Sequence, residues 1–176
     1  MNAVRLAAVT VVVATSLVVS AAEPLNIRPG VWKITTTLTL GGAPLYIEGM
    51  PEASKAEYAK RWAQDAGKTQ TDTDDDCITE KDIRTSDIFK DMRDDANACT
   101  QKISRQTASA VSGTLECKNP KTVTKTELDY SAQTPTTMTG TIRTTITSPN
   151  GTTTMNATMS GRWMAPNCPA EESGED

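Results

Sequence analysis

Histidine is absent from the 176 residues, phenylalanine occurs once, and tyrosine and tryptophan occur three times each. Without imidazole, the Ser-His-Asp and Cys-His nucleophile systems, the HExxH helix and every zinc site that needs a histidine ligand are excluded. Only 37% of residues are hydrophobic and 4% aromatic, so any core is thin. Basic charge is also short, at 18 residues against 22 acidic ones, with no basic stripe. Nucleic acid is therefore not an expected partner, because neutralising phosphates needs clustered Lys and Arg. No CxxC pair occurs either; the gaps between the four cysteines are 22, 18 and 51 residues, which speaks against a thiolate metal site.

One apolar run is present, Leu6 to Val19, preceded by Arg5 and closed by Ser20-Ala21-Ala22. Residues 1–22 read as a signal peptide cut near Ala22, with Glu23 the new N-terminus. The run is shorter than the roughly 18–20 residues that span a bilayer, so the chain is not expected to be membrane-spanning after cleavage. No cysteine stands at the cut to carry a lipid. The expected address is the periplasm or the exterior. The remaining chain is enough for one domain, 23–168, and the acidic residues 169–176 are expected to be a disordered tail. Loss of Arg5 with the leader takes the formal charge from −4 to −5.

In an oxidising compartment, Cys77, Cys99, Cys117 and Cys168 imply two disulfides, for which three pairings exist. Cys99–Arg105 and Val111–Lys118 have strand alternation, and a hairpin centred near Ala108 sets Cys99 opposite Cys117. That register favours Cys99–Cys117 and leaves Cys77–Cys168.

Threonine is what the chain has in excess, with 29 residues, 15 of them between Thr122 and Thr158. Its β-branch suits a strand and its hydroxyl a wet face. Trp32, Ile34, Leu38 and Leu40 alternate with Lys33, Thr35, Thr37 and Thr39, the period of a half-buried strand. Later strands carry Thr124, Thr126, Leu128 and Tyr130 on one face, then Met138, Gly140, Ile142, Thr144 and Ile146. The last strand turns Met155, Ala157, Met159 and Trp163 inward. Asn150-Gly151 between the final two strands predicts a type I′ hairpin turn, with φ > 0 at both residues. Residues 52–67 instead predict a helical insertion, with Ser54 and Glu57 at capping-box spacing, Gly67 as the stop and Trp62 as the docking residue. Thr79 and Asp82 have the spacing to cap a shorter helical stretch carrying Ile83, Ile88, Phe89 and Met92. The expected fold is all-β: a mainly antiparallel meander of about seven strands, half-barrel or sandwich-like, with one or two helical insertions.

The chemical candidates are weak. Asp72, Asp74, Asp75 and Asp76 invite calcium, but an EF-hand loop starting at Asp72 would need Gly and Glu where Cys77 and Ile83 stand. A solvated acidic strand entry is the plainer reading. Gly67-Lys68-Thr69 resembles the end of a P-loop, yet Trp62 stands where its first glycine belongs. Glu127 and Asp129 share one polar strand face with nothing to mark a pocket. Met138, Met155, Met159, Trp163 and Tyr130 form the most interesting set, an adaptable apolar surface for an acyl chain or other apolar ligand, or simply core. Met155 and Met159 lie about 13 Å apart along a strand, too far to share copper(I).

Gly30-Val31-Trp32, Gly49-Met50-Pro51, Cys77-Ile78-Thr79, Cys99, Cys117, Met138-Thr139-Gly140, Ser160-Gly161-Arg162 and Cys168 occur in an order that resembles the bacterial exported proteins of domain of unknown function family 3617. The resemblance implies a small secreted or periplasmic protein and supplies no catalytic residue. Two segments depart from it: the helical stretch 52–66 replaces a Gly/Pro-rich loop, and 163–167 lengthens the approach to the last cysteine. The expectation is a non-enzymatic module, without cofactor or metal, that binds a lipid, another apolar small molecule or an envelope protein. A purely structural or stress-related envelope protein is the alternative, and a carboxylate-dependent enzyme ranks third.

Overall fold

In the computed structural model, residues 23–46, 49–84, 88, 89, 92 and 98–169 are described. The expected leader and acidic tail, apart from Pro169, lie outside them.

Seven antiparallel strands form one sheet: β1 (Gly30–Gly42), β2 (Thr69–Ile78), β3 (Ala98–Thr107), β4 (Ala110–Lys118), β5 (Val123–Thr134), β6 (Thr137–Ser148) and β7 (Gly151–Ala165). Their order is β2-β1-β7-β6-β5-β4-β3. Strands β3 to β7 are a meander, and the final strand comes back to pair with the first. The all-β expectation therefore holds as a single open sheet, and the sandwich alternative drops out because the described residues form no second sheet.

Sheet curvature follows from what the strands share. Neighbouring strands lie about 4.8 Å apart, so a flat sheet of seven would hold its edges roughly 29 Å from each other. Yet Asp76 of edge strand β2 and Gln106 of edge strand β3 line the same cavity, along with residues of all five strands between them. The sheet is curled into a trough.

The pairing registers sort the residues into rungs. One runs Thr36, Met159, Gly140, Tyr130, Val111, Gln106 from β1 to β3, and a neighbouring one runs Ile34, Gly161, Met138, Ala132. These face the inside of the trough. On the outside, threonines of β1 and β2 meet hydroxyl to hydroxyl, Thr35 with Thr73 at 3.0 Å, Thr37 with Thr71 and Thr39 with Thr69 at 3.3 Å. This is the wet face that the threonine excess predicts. Alternation also divides the acidic run of β2: Asp75 is paired outside with Lys33 at 3.1 Å, whereas Asp72, Asp74 and Asp76 stand opposite inward residues of β1. The aspartates thus do not converge, and among the described residues no group of acidic side chains is placed to hold a metal ion.

The trough is covered by connections. From β2 at one edge to β3 at the other, the chain has to cross the open side, and this crossing carries α2 (Glu80–Arg84), Ile88 and Phe89. Phe89 is fully buried against Leu115 and Leu128, with Ile88, Ile103 and Tyr130 packed around. α2 begins with the expected reciprocal cap, the Asp82 N–H donating to Thr79 Oγ1 at 3.2 Å and the Thr79 N–H to Asp82 Oδ2 at 2.9 Å. Residues 23–29 cross one end of the trough. Asn26 N–H donates to Ala108 O in the β3–β4 turn and Arg28 N–H to Pro135 O in the β5–β6 turn. The indoles of Trp32 and Trp163 then donate to Arg28 O and Pro29 O.

The insertion α1 (Glu52–Asp65) lies between β1 and β2 and docks as expected through Trp62, whose indole N–H donates to Gly42 O at 3.0 Å. Its start differs from the expected box. Pro51 is the N-cap, without a side-chain cap, and Lys55 N–H already bonds Pro51 O. The fixed proline φ opens the helix ahead of Ser54, and Glu57 is engaged with Arg61 at 2.9 Å. The β6–β7 turn also differs. Among the described residues only glycines have positive φ, so Asn150 does not meet the type I′ requirement. Ser148 pairs with Gly151, and Pro149 and Asn150 form the turn, because Pro149 presets the negative φ that its first central position takes.

Both disulfides are those the register favours. Cys99–Cys117 closes the β3–β4 hairpin and Cys77–Cys168 ties edge strand β2 to the chain beyond β7. An irregularity between Ile103 and Arg105 makes the first of these possible. Without the extra residue there, the two-residue turn between Thr107 and Ala110 would set Cys99 against Lys118. On the chain-entropy estimate, the 91-residue separation of Cys77–Cys168 contributes roughly 4.5 kcal/mol and the 18-residue one roughly 3 kcal/mol. Replacing each pair by serine should therefore lower urea stability more for Cys77/Cys168, and hydrogen exchange should show β2 losing protection first.

Candidate functional site

A cavity of about 460 Å³ occupies the end of the trough crossed by residues 23–29. Leu25 and Ile27 come from that crossing segment, Ile83 and Ile88 from the connection over the open side, and Ile34, Val111, Tyr130, Met138 and Met159 from the sheet. The volume is within the range of small-molecule pockets. Polar groups stand at its margin: Glu23, Asp76, Asp82 and Gln106.

Glycines leave room for the large side chains that line it. At Gly140, a Cβ would overlap the Tyr130 ring, which lies flat across that position from the neighbouring strand. At Gly161 a Cβ would come within 2.9 Å of both Met138 and Ile34. Each glycine thus receives side chains of adjacent strands where a Cβ would clash with them. Across Gly140 the Tyr130 hydroxyl reaches Met159 and donates to its Sδ at 3.4 Å. A thioether is a weak acceptor, so this hydroxyl keeps most of its hydrogen-bonding capacity for something in the cavity. Burial pushes the Tyr130 phenol above its ordinary value, since the phenolate would be poorly solvated there.

The five residues singled out from the sequence are distributed over three places. Tyr130, Met138 and Met159 line this cavity. Met155 lies at the opposite end of the trough, in a second space of about 540 Å³ that the sheet shares with Tyr46, Tyr58 and Trp62. Trp163 lines neither; its ring lies beneath the Arg28 guanidinium, 5.3 Å from the centroid, as part of the seam that holds residues 23–29. Sequence reading missed Leu25, Ile27, Ile83 and Ile88. Strand alternation cannot find them, because they come from segments outside the strands. Glu127 and Asp129 lie on the outer face, about half exposed, paired with Lys125 at 2.6 Å and Arg105 at 2.9 Å. Lys125 holds the Glu127 carboxyl below its usual value through a hydrogen bond and its charge. Both also line an open space of about 450 Å³ on that face with Ser112, Thr141 and Arg143, so the expectation that nothing marks a pocket there does not hold; each carboxylate is nevertheless engaged with a cation.

These features define a class: a single curled antiparallel sheet, stapled by two disulfides, with an apolar cavity at one end. Among the described residues, no helix is long and apolar enough to cross a membrane. The chain matches the family model described as "Protein of unknown function (DUF3617)" over residues 27–168, and it belongs to that family. No curated protein and no solved structure matches it.

Gly140→Ala should force Tyr130 off its seat and cost about 1–3 kcal/mol of unfolding free energy in urea titrations, in line with overpacking elsewhere. Tyr130 also predicts an alkaline limb. Because its phenol is raised in the folded state, its contribution is intact below the ordinary tyrosine pKa and fades as pH rises from there through the folded value. Spectrophotometric titration should find a late-titrating tyrosine, and Tyr130→Phe should remove it together with that component of the alkaline stability loss.

Proposed function

We propose that this is an exported, non-catalytic binding protein whose ligand, an amphiphile with an apolar chain, occupies the cavity under residues 23–29. The single observation that carries the reading is that cavity: about 460 Å³, lined by Leu, Ile, Val and Met side chains with one under-used hydroxyl inside, in a protein otherwise short of apolar residues. A thin core tolerates such a space only at a cost in packing, which an apolar ligand would offset. Met138 and Met159 supply unbranched, adaptable walls suited to a flexible chain. Export is supported by the leader-like residues 1–22 and by two disulfides, which persist in oxidising compartments. The bacterial periplasm is the address that fits this combination. Non-catalysis is supported by the lack of histidine and by the engagement of Glu127 and Asp129 with cations on the outer face.

Native mass spectrometry of the protein purified without detergent should show a retained ligand of lipid mass, and delipidated protein should gain thermal stability with envelope lipids or single-chain amphiphiles. A dry cavity and no shift with any of them would leave the purely structural role in its place.

A further inference from the structure

The cavity proposed above as a ligand site has a marginal charge of one sign, and that constrains which amphiphile it takes. Its described lining includes the carboxylates of Glu23, Asp76 and Asp82 and neither lysine nor arginine. Asp82 caps α2 through Thr79. Asp76 is exposed and has no hydrogen bond or ion pair with another described side chain; the salt bridge of this strand, Lys33 with Asp75, is on the other face. Arg28, the nearest cation in the crossing segment, is turned away onto the Trp163 ring. With residues 1–22 removed, the α-ammonium of Glu23 adds one positive charge and the margin remains net negative.

An apolar chain seated among Ile34, Val111, Met138 and Met159 brings its head group to this margin. Among the described residues, a carboxylate or phosphate head would meet more like charges than the single Glu23 α-ammonium could pair, whereas an ammonium head would meet two or three carboxylates. A neutral hydroxyl or amide would be tolerated without being selected. We infer that the site selects cationic amphiphiles, long-chain amines above all, over fatty acids and anionic lipids of the same chain length. The inference rests on the cavity being a ligand site. Its own content is the sign of the head group.

Dodecylamine, dodecanol and dodecanoate, each below its critical micelle concentration, test the two separately by calorimetric titration of the delipidated, disulfide-bonded protein. The expected order is amine, then alcohol, then carboxylate, with the amine at least about tenfold tighter than the carboxylate, as partly screened charge pairs of this kind provide. Raising the salt concentration should narrow that gap and leave dodecanol unchanged. Asp76→Asn, at an exposed position where folding is not at stake, should weaken dodecylamine about threefold and strengthen dodecanoate. Equal or tighter binding of dodecanoate would overturn the selection while leaving the apolar site standing. Binding of none of the three would overturn both.

Discussion

A curled sheet has one face to bury, and among the described residues there is no second sheet to bury it against. The covering has to come from the chain's own connections, and the rest of the structure depends on that. Because β2 and β3 are the two edges, the segment joining them crosses the open side and lays Phe89, the only phenylalanine, onto Leu115 and Leu128. Residues 23–29 cover one end in the same manner. What they leave uncovered between them is the cavity. A functional space thus arises where the covering is made of loop rather than of secondary structure.

Open edges are a hazard for any such sheet, since unpaired strand groups invite other chains. Here each edge is defended differently. β2 carries aspartates toward the inside of the trough, where a second strand would have to bury them, and β3 is broken by an irregularity between Ile103 and Arg105. Each edge is also stapled inward, β2 through Cys77–Cys168 and β3 through Cys99–Cys117. The same aspartates that protect β2 contribute Asp76 to the cavity margin. Edge protection and ligand charge preference then have a common physical origin in one acidic strand.

Much of the sheet was legible because strand alternation is strict. The Thr/apolar period of β1, β5, β6 and β7 marks faces that the registers bear out, and the equal distances of Cys99 and Cys117 from residue 108 identify the hairpin. Where reading went astray, a backbone preference of proline was decisive: Pro51 moved the start of α1 and Pro149 the final turn. The site was legible only in part. Tyr130, Met138 and Met159 belong to one cavity, but nothing in their spacing separates them from Met155, which shares their face and lies at the far end of the trough.

By itself the sequence determined most of the strands and their two faces, because these follow from local periodicity; it favoured the pairing of the cysteines, which the irregularity between Ile103 and Arg105 then decided. The tertiary structure alone decided that the sheet is open and curled, that β7 returns to β1, and that loops cover the trough. Those outcomes depend on contacts between residues far apart in the chain, such as Ile34 and Met138 meeting over Gly161, which no local period encodes. The missing histidine acquires its meaning only there, beside an interior lined by methionine, isoleucine and a single phenol.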